Sequence, residues 1–171
     1  CLQASRFDSR IDSDGEIVLL KDQDRSTWNK KLIEKGFQYL KRSDVGAVRS
    51  VYQLEASIAA CHALTSDFNK TDWSTIYSLY SELAILKPGP VVEMNRAIAK
   101  GYSSSPQEGL DLLLRIKELE TNCFYHTAVG DFYLTLDRKE DAHIAYRTAI
   151  ELTSSEKQKT LLSKKIGDTG Y

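Results

Sequence analysis

From Ser26 onward, apolar residues return every three or four positions, the spacing that lines them along one face of a helix. Trp28, Leu32, Ile33, Gly36, Phe37 and Leu40 form the first such face, and Val51, Leu54, Ile58 and Cys61 the second. A third runs through Ile76, Leu79, Tyr80, Leu83 and Leu86, and a fourth through Met94, Ala97, Ile98 and Gly101. Leu112, Leu113, Ile116 and Leu119 mark a fifth, and Val129, Phe132, Tyr133 and Leu136 a sixth. The last two hold Ala142, Ala145, Tyr146, Ala149 and Ile150, and then Leu161, Leu162 and Ile166. No strand pattern follows Leu20. Before it, Ile11 to Leu20 carries an Asp14-Gly15 turn flanked by apolar residues, the signal of a short hairpin. The expected class is therefore all-α, with residues 1–21 a short β-hairpin or irregular lead-in and residues 22–171 a helical repeat domain.

Polar punctuation agrees with these boundaries. Ser105-Pro106-Gln107-Glu108 offers a serine cap, a proline at the first helical position and a glutamate three residues after the cap. Ser155 to Gln158 has the same capping-box spacing, and Thr71-Asp72 suits the start of the third helix. Pro88-Gly89-Pro90 ends that helix and opens the next. In Asp22-Gln23-Asp24-Arg25-Ser26-Thr27-Trp28 an aspartate or serine is expected to cap the first helix while Trp28 packs inward. The alternative for this run is a charge-assisted contact from Asp24 and Arg25 to a partner domain.

The helices repeat. Ile76, Gly109 and Ala142 are 33 residues apart, as are Tyr80, Leu113 and Tyr146, and Leu83, Ile116 and Ala149. A period in the mid-thirties with two helices per period marks stacked helical hairpins, each with an apolar face it cannot bury alone. The unit from Val129 through Leu152 resembles the tetratricopeptide pattern. Gly130 and Ala142 stand where paired helices approach closely, and Tyr133 and Tyr146 take the aromatic slots. Ala97 and Gly109 repeat the twelve-residue spacing of Gly130 and Ala142. Asp137 departs from the pattern, which often has glycine there in a left-handed turn, a conformation aspartate tolerates better than most residues. That resemblance implies a right-handed superhelical array with a concave binding surface.

Charge and chemistry narrow the function. The 23 basic and 24 acidic residues leave a net charge of −1, without the basic excess by which a domain neutralises phosphates. The lysines of the tail, Lys157, Lys159, Lys164 and Lys165, read as the solvated face of a last helix. The three cysteines, Cys1, Cys61 and Cys123, are far apart, which argues against a disulfide framework or a zinc site and points to a reducing, cytoplasmic compartment. No apolar run approaches the roughly 20 residues of a membrane span. The acidic cluster at Asp12 to Glu16 fails as a calcium loop, because Arg10 and Lys21 would fall at ligand positions. His62, His126 and His143 lie in different helices, and no nucleophile, phosphate-loop or dinucleotide motif is present. We expect no enzyme, no catalytic residue, no metal and no cofactor.

A wider resemblance spans nearly the whole chain. Asp14-Gly15-Glu16, Leu19-Leu20, Asp22 through Ser26, Trp28, Leu32-Ile33 and Gly36 follow one pattern, which continues in Tyr52-Gln53-Leu54, Ala56 and Ile58-Ala59-Ala60. It goes on through Thr71-Asp72-Trp73, Tyr80, Pro88, Pro90-Val91-Val92 and Asn95-Arg96-Ala97-Ile98-Ala99. Together these resemble the C-terminal, tetratricopeptide-like extension of a group of bacterial extracytoplasmic-function sigma factors of RNA polymerase. The resemblance implies a regulatory protein-interaction domain. Its partners would be its own sigma domains, the polymerase or an unknown effector. Promoter DNA would be read by N-terminal domains outside this chain, as the missing initiator methionine also suggests. Asp22, Gln23, Asp24, Arg25, Trp28, Tyr52, Gln53, Asn95 and Arg96 are the candidate partner-binding residues. A free-standing scaffold binding peptides or proteins in its concave groove is the alternative.

Overall fold

The computed structural model describes residues 1–43 and 49–170. Among them are eight α-helices and no β-strand: α1 (Lys30–Ser43), α2 (Val51–Ala63), α3 (Trp73–Leu86), α4 (Pro90–Ser103), α5 (Pro106–Leu113), α6 (Cys123–Thr135), α7 (Lys139–Leu152) and α8 (Glu156–Thr169). The chain forms two compact units, Cys1–Pro88 with α1 to α3 and Gly89–Tyr171 with α4 to α8. Within each unit, helices consecutive in sequence pack on one another.

The lead-in is the irregular alternative. Its 3-10 turns, Ala4–Arg6 and Asp8–Arg10, are followed by an isolated antiparallel bridge between Ile11 and Ile17. Gly15 takes the left-handed conformation in the turn between them, with φ 80°. The Asp12 carboxylate closes that turn by accepting from the amides of Asp14 at 3.0 Å and Glu16 at 2.8 Å. The segment belongs to the core of the first unit. Leu2 is buried with Ala59 and Ala60, against Ile33, Phe37 and Leu40. It lies over Gly36, where a Cβ would come within 2.6 Å of Leu2 Cγ.

Two helix boundaries differ from the periodicity. The first helix does not contain Trp28. Asp24 caps a separate 3-10 turn, Arg25–Thr27, accepting from the Ser26 amide at 2.9 Å, and Trp28 continues in extended backbone with ψ 141°. The helix α1 begins two residues later, with Leu32 donating its N–H to Asn29 Oδ1 at 3.1 Å. A short Asx turn thus separates the tryptophan from the helix and lets the indole be buried independently. The fifth helix stops at Leu113. Beyond it the backbone tightens, with Ile116 N–H donating to Leu113 O at 2.9 Å and Asn122 N–H to Leu119 O at 2.9 Å. Ile116 and Leu119 remain buried in these turns. A three-residue spacing is shared by α-helix and 3-10 turn, so apolar periodicity does not tell them apart.

The caps fall where the side chains can reach. Asp72, Ser105 and Ser155 accept from the amides of Thr75, Glu108 and Gln158, and Pro90 and Pro106 occupy the first turns of α4 and α5. Ser155 and Gln158 make half of a capping box, because the Gln158 amide oxygen is drawn to the hydroxyl of Thr153. The complete box is at Ser50 and Gln53: the Ser50 amide donates to Gln53 Oε1 at 2.7 Å, and the Gln53 amide to Ser50 Oγ at 3.3 Å.

The second unit closes on small residues. A Cβ on Gly109 would stand 2.5 Å from Gly101 Cα and 3.0 Å from Ala97 O, so α4 and α5 meet backbone to backbone. Gly101 and Gly130 are covered by the rings of Phe132 and Tyr146. Ala142, Tyr146, Ala149 and Leu162 form a buried cluster between α7 and α8. Asp137, at φ 57°, makes the left-handed turn between α6 and α7. The register of 33 residues survives in burial, since Ile76, Gly109 and Ala142 are all buried.

Candidate functional site

The Asp22 to Trp28 run is mostly an internal structure of the first unit. Arg25 is 7% exposed and Trp28 3%. Arg25 Nη1 donates to His62 O at 2.8 Å and Thr65 Oγ1 at 2.5 Å, and Nη2 donates to Thr71 Oγ1 at 3.1 Å. One guanidinium therefore ties the turn before α1 to the last turn of α2 and to the chain leading into α3. His62 O is one of the carbonyls that a helix end leaves unbonded, and that end carries partial negative charge, so a cation is well placed there. The Arg25 guanidinium also lies 5.4 Å from the centre of the Trp28 ring. The Gln23 side chain is buried as well and donates to Val18 O at 3.1 Å.

Asp22 and Asp24 remain exposed, and the Asp24 carboxyl is held below its ordinary pKa by its hydrogen bonds with Ser26. Tyr52 stands at the start of α2 and is 82% exposed. Gln53 beside it is committed to the capping box and donates to Ser43 O, tying α1 to α2. Asn95 and Arg96 lie on α4 in the second unit. Arg96 pairs with Glu93 of its own helix at 3.0 Å.

The charge distribution around Arg25 was not legible in the sequence. Arg6 is half-buried, and its pKa is lowered by burial first and then by Arg10 and Arg25. His62 falls to about 4, again through burial first and then Arg25 and Arg6. Its ring packs edge-on to Trp73 at 5.4 Å. Burial raises the Cys61 thiol. Three buried nitrogens here, Arg25 Nε, Trp28 Nε1 and His62 Nδ1, have no hydrogen-bond partner among the described residues. The signal that could have found the clamp is the pair Thr65 and Thr71 flanking the α2–α3 loop, but nothing in spacing alone aims Arg25 at them.

A second polar cluster holds α8. The Tyr146 hydroxyl donates to Asp131 Oδ1 at 2.7 Å, and Lys165, itself buried, pairs with the same oxygen. Burial and the Asp131 charge push the Tyr146 hydroxyl far above its ordinary pKa, so it stays a donor. Lys165 thus faces inward, unlike the solvated lysine expected of the tail. Among the described residues no three His, Cys, Asp or Glu side chains gather in a metal-holding group, and no helix is long and apolar enough to cross a membrane.

Residues 1–44 match the model of a family described as a family of unknown function (DUF6596). Over 155 residues, 90% of this chain, the sequence is 35% identical to an uncharacterized protein of Rhizobium meliloti (strain 1021). The chain spans only 37% of that protein's length. No solved structure matches. The family match covers the lead-in, the Arg25 turn and α1, so it falls on the segment that the guanidinium clamp joins to the rest of the first unit.

Proposed function

We propose that this chain is a regulatory protein-interaction domain of an RNA polymerase sigma factor, built from tetratricopeptide-type helical hairpins. The observation that carries the reading is the seam geometry of α4 to α7. Small residues sit where paired helices touch, Gly109 against Gly101 and Gly130 under Tyr146, with a left-handed Asp137 at the turn. Gly109 and Gly130 stand at positions the tetratricopeptide pattern reserves for small residues, and Asp137 at its left-handed turn. The near-zero net charge suits contact with protein rather than with DNA. The much greater length of the Rhizobium relative leaves room for further domains in proteins of this kind.

The first unit offers a face for such a contact. Tyr52 is 82% exposed and Ile85 81%. Ion pairs from Arg49 to Glu82 at 3.5 Å and from Lys87 to Glu55 at 3.0 Å hold the start of α2 beside the end of α3, so the two apolar side chains share one end of that hairpin. Exposed apolar side chains flanked by charge are the ordinary make-up of a protein contact. The partner in this reading is the sigma domains of the same polypeptide.

The test is a pull-down of the N-terminal sigma fragment and of core polymerase by this domain, with transcription measured in the full-length protein with and without it. Binding that is lost in a Tyr52→Ser, Ile85→Ser double variant of unchanged melting temperature supports the reading. No binding to either, with transcription unaltered by deletion of the domain, rejects it.

A further inference from the structure

We propose that α8 is a releasable latch on the second unit, opening about residues 153–155 while α6 and α7 stay folded. Those residues link it to α7. Thr153 and Ser155 lie in extended backbone, with ψ 139° and 116°, so the link breaks the helical path between the two helices. Gln158, in the first turn of α8, fastens the near end. Its amide oxygen accepts from the Thr153 hydroxyl and lies 3.7 Å from Cys123 Sγ on α6.

The face by which α8 docks is poor in apolar surface. On α7 the buried side chains are Ala142, Ala145, Tyr146 and Ala149, while on α8 they are Leu162, Lys165 and Thr169. Leu162 is thus the one fully enclosed aliphatic side chain of α8, with Ile166 partly buried beside it. The middle of the docking face is a cation. Lys165 is 6% exposed, with Nζ 5.5 Å from the centre of the Tyr146 ring and paired with Asp131 of α6. A buried ammonium gives up hydration that one ion pair returns only in part, and it regains that hydration on leaving. Lys165 therefore opposes detachment less than an apolar side chain of the same size does.

Gly167 weakens the helix itself. It is exposed, lies within α8, and a Cβ placed on it meets nothing within 4 Å. The same Cβ would stand 2.2 Å from a neighbour at Gly101, 2.5 Å at Gly109 and 2.6 Å at Gly130. Packing demands those three glycines and does not demand Gly167, which leaves α8 less stable as a helix than alanine would. Scarce apolar burial, a buried charge and an unforced glycine fall on one helix, and each lowers the cost of opening it locally. Opening uncovers Tyr146 and Ala149 of α7 and exposes Cys123, which packs against the same cluster. The latch stands or falls independently of the sigma-factor reading, because its opening is read from α8 itself.

The experiment is amide hydrogen exchange in the whole nitrogen-labelled chain, followed by NMR near neutral pH. The amides of residues 162–166 are expected to exchange at least about tenfold faster than those of residues 145–149 in α7. Gly167→Ala, which touches no other element, should narrow that gap about threefold by steadying the helix. Asp131→Asn keeps an acceptor for the Tyr146 hydroxyl but leaves Lys165 without its counter-charge, and should widen the gap about tenfold. Alkylation of Cys123 by iodoacetamide, located by mass spectrometry, should slow in the first variant and quicken in the second, while Cys61 of the first unit keeps its rate. Equal exchange in α7 and α8 of the unaltered chain, or a gap that Gly167→Ala leaves unchanged, overturns the proposal.

Discussion

The two units of this chain are held together by opposite means. In the second, α4 to α7 meet through glycine and alanine, and the contact between α4 and α5 brings Gly109 against the backbone of Gly101. In the first, the segment before α1, made of short 3-10 turns and one isolated bridge, is fastened through Arg25, which donates to a helix end and two threonines. Close helix contact depends on shape and tolerates no added volume. A buried guanidinium depends on partners and tolerates no loss of them. The first kind of cohesion is local to a helix pair, and the second joins segments about 40 residues apart in sequence.

The comparison is most sharply tested at Gly109. A Gly109→Val substitution should destabilise the second unit by about 3 kcal/mol, because the neighbours are backbone atoms and cannot turn aside. Both tryptophans, Trp28 and Trp73, lie in the first unit. Urea unfolding followed by far-ultraviolet circular dichroism should therefore shift, while the tryptophan-emission transition moves less. Coincident shifts in both signals would show that the units unfold as one. Arg25→Ala should act in the reverse sense, moving the tryptophan transition by roughly 3 kcal/mol as buried carbonyl and hydroxyl partners lose their donor.

His62 sharpens the contrast through pH. In the folded first unit it stays neutral down to about 4, against an ordinary 6.5. Between these values the unfolded chain binds a proton that the folded chain refuses. The contribution of neutral His62 is thus complete above pH 6.5 and is lost as the pH falls toward 4, amounting to roughly 2–3 kcal/mol. Replacing it by Gln should flatten that part of the stability curve as read by tryptophan emission. An unchanged curve would mean that the imidazole is hydrated. The smallest effect belongs to the turn between α6 and α7: Asp137→Gly relieves a left-handed aspartate and should stabilise the second unit by about 0.5 kcal/mol. A loss of stability there would assign Asp137 a favourable contact that outweighs its backbone strain.

Legibility in the sequence followed the same division. The caps at Asp72, Ser105 and Ser155 and the left-handed Asp137 could be read because each rests on residues within a turn or two of one another, and the 33-residue register because it recurs three times along the chain. The end of α5 could not, since Ile116 and Leu119 keep their burial in tight turns as well as they would in a helix. The candidate residues divide by burial for a similar reason: Asp22, Asp24 and Tyr52 are exposed, whereas Gln23, Arg25 and Trp28 are turned inward. A charged residue in a polar run gives no sign of whether its partner is another protein or a distant threonine of its own chain.

What the amino-acid order determined by itself was the helical content, most of the helix starts and the places where helices touch closely, for these depend on side-chain volume, periodicity and hydrogen bonds of short reach. Only the tertiary structure decided which polar groups lost their water and found partners. That choice set Arg25 against His62, Thr65 and Thr71, and Lys165 against Asp131. The reason is physical: burying a charge is costly enough that its partners must be supplied by whatever segment folding brings within reach, and sequence distance carries no record of that proximity.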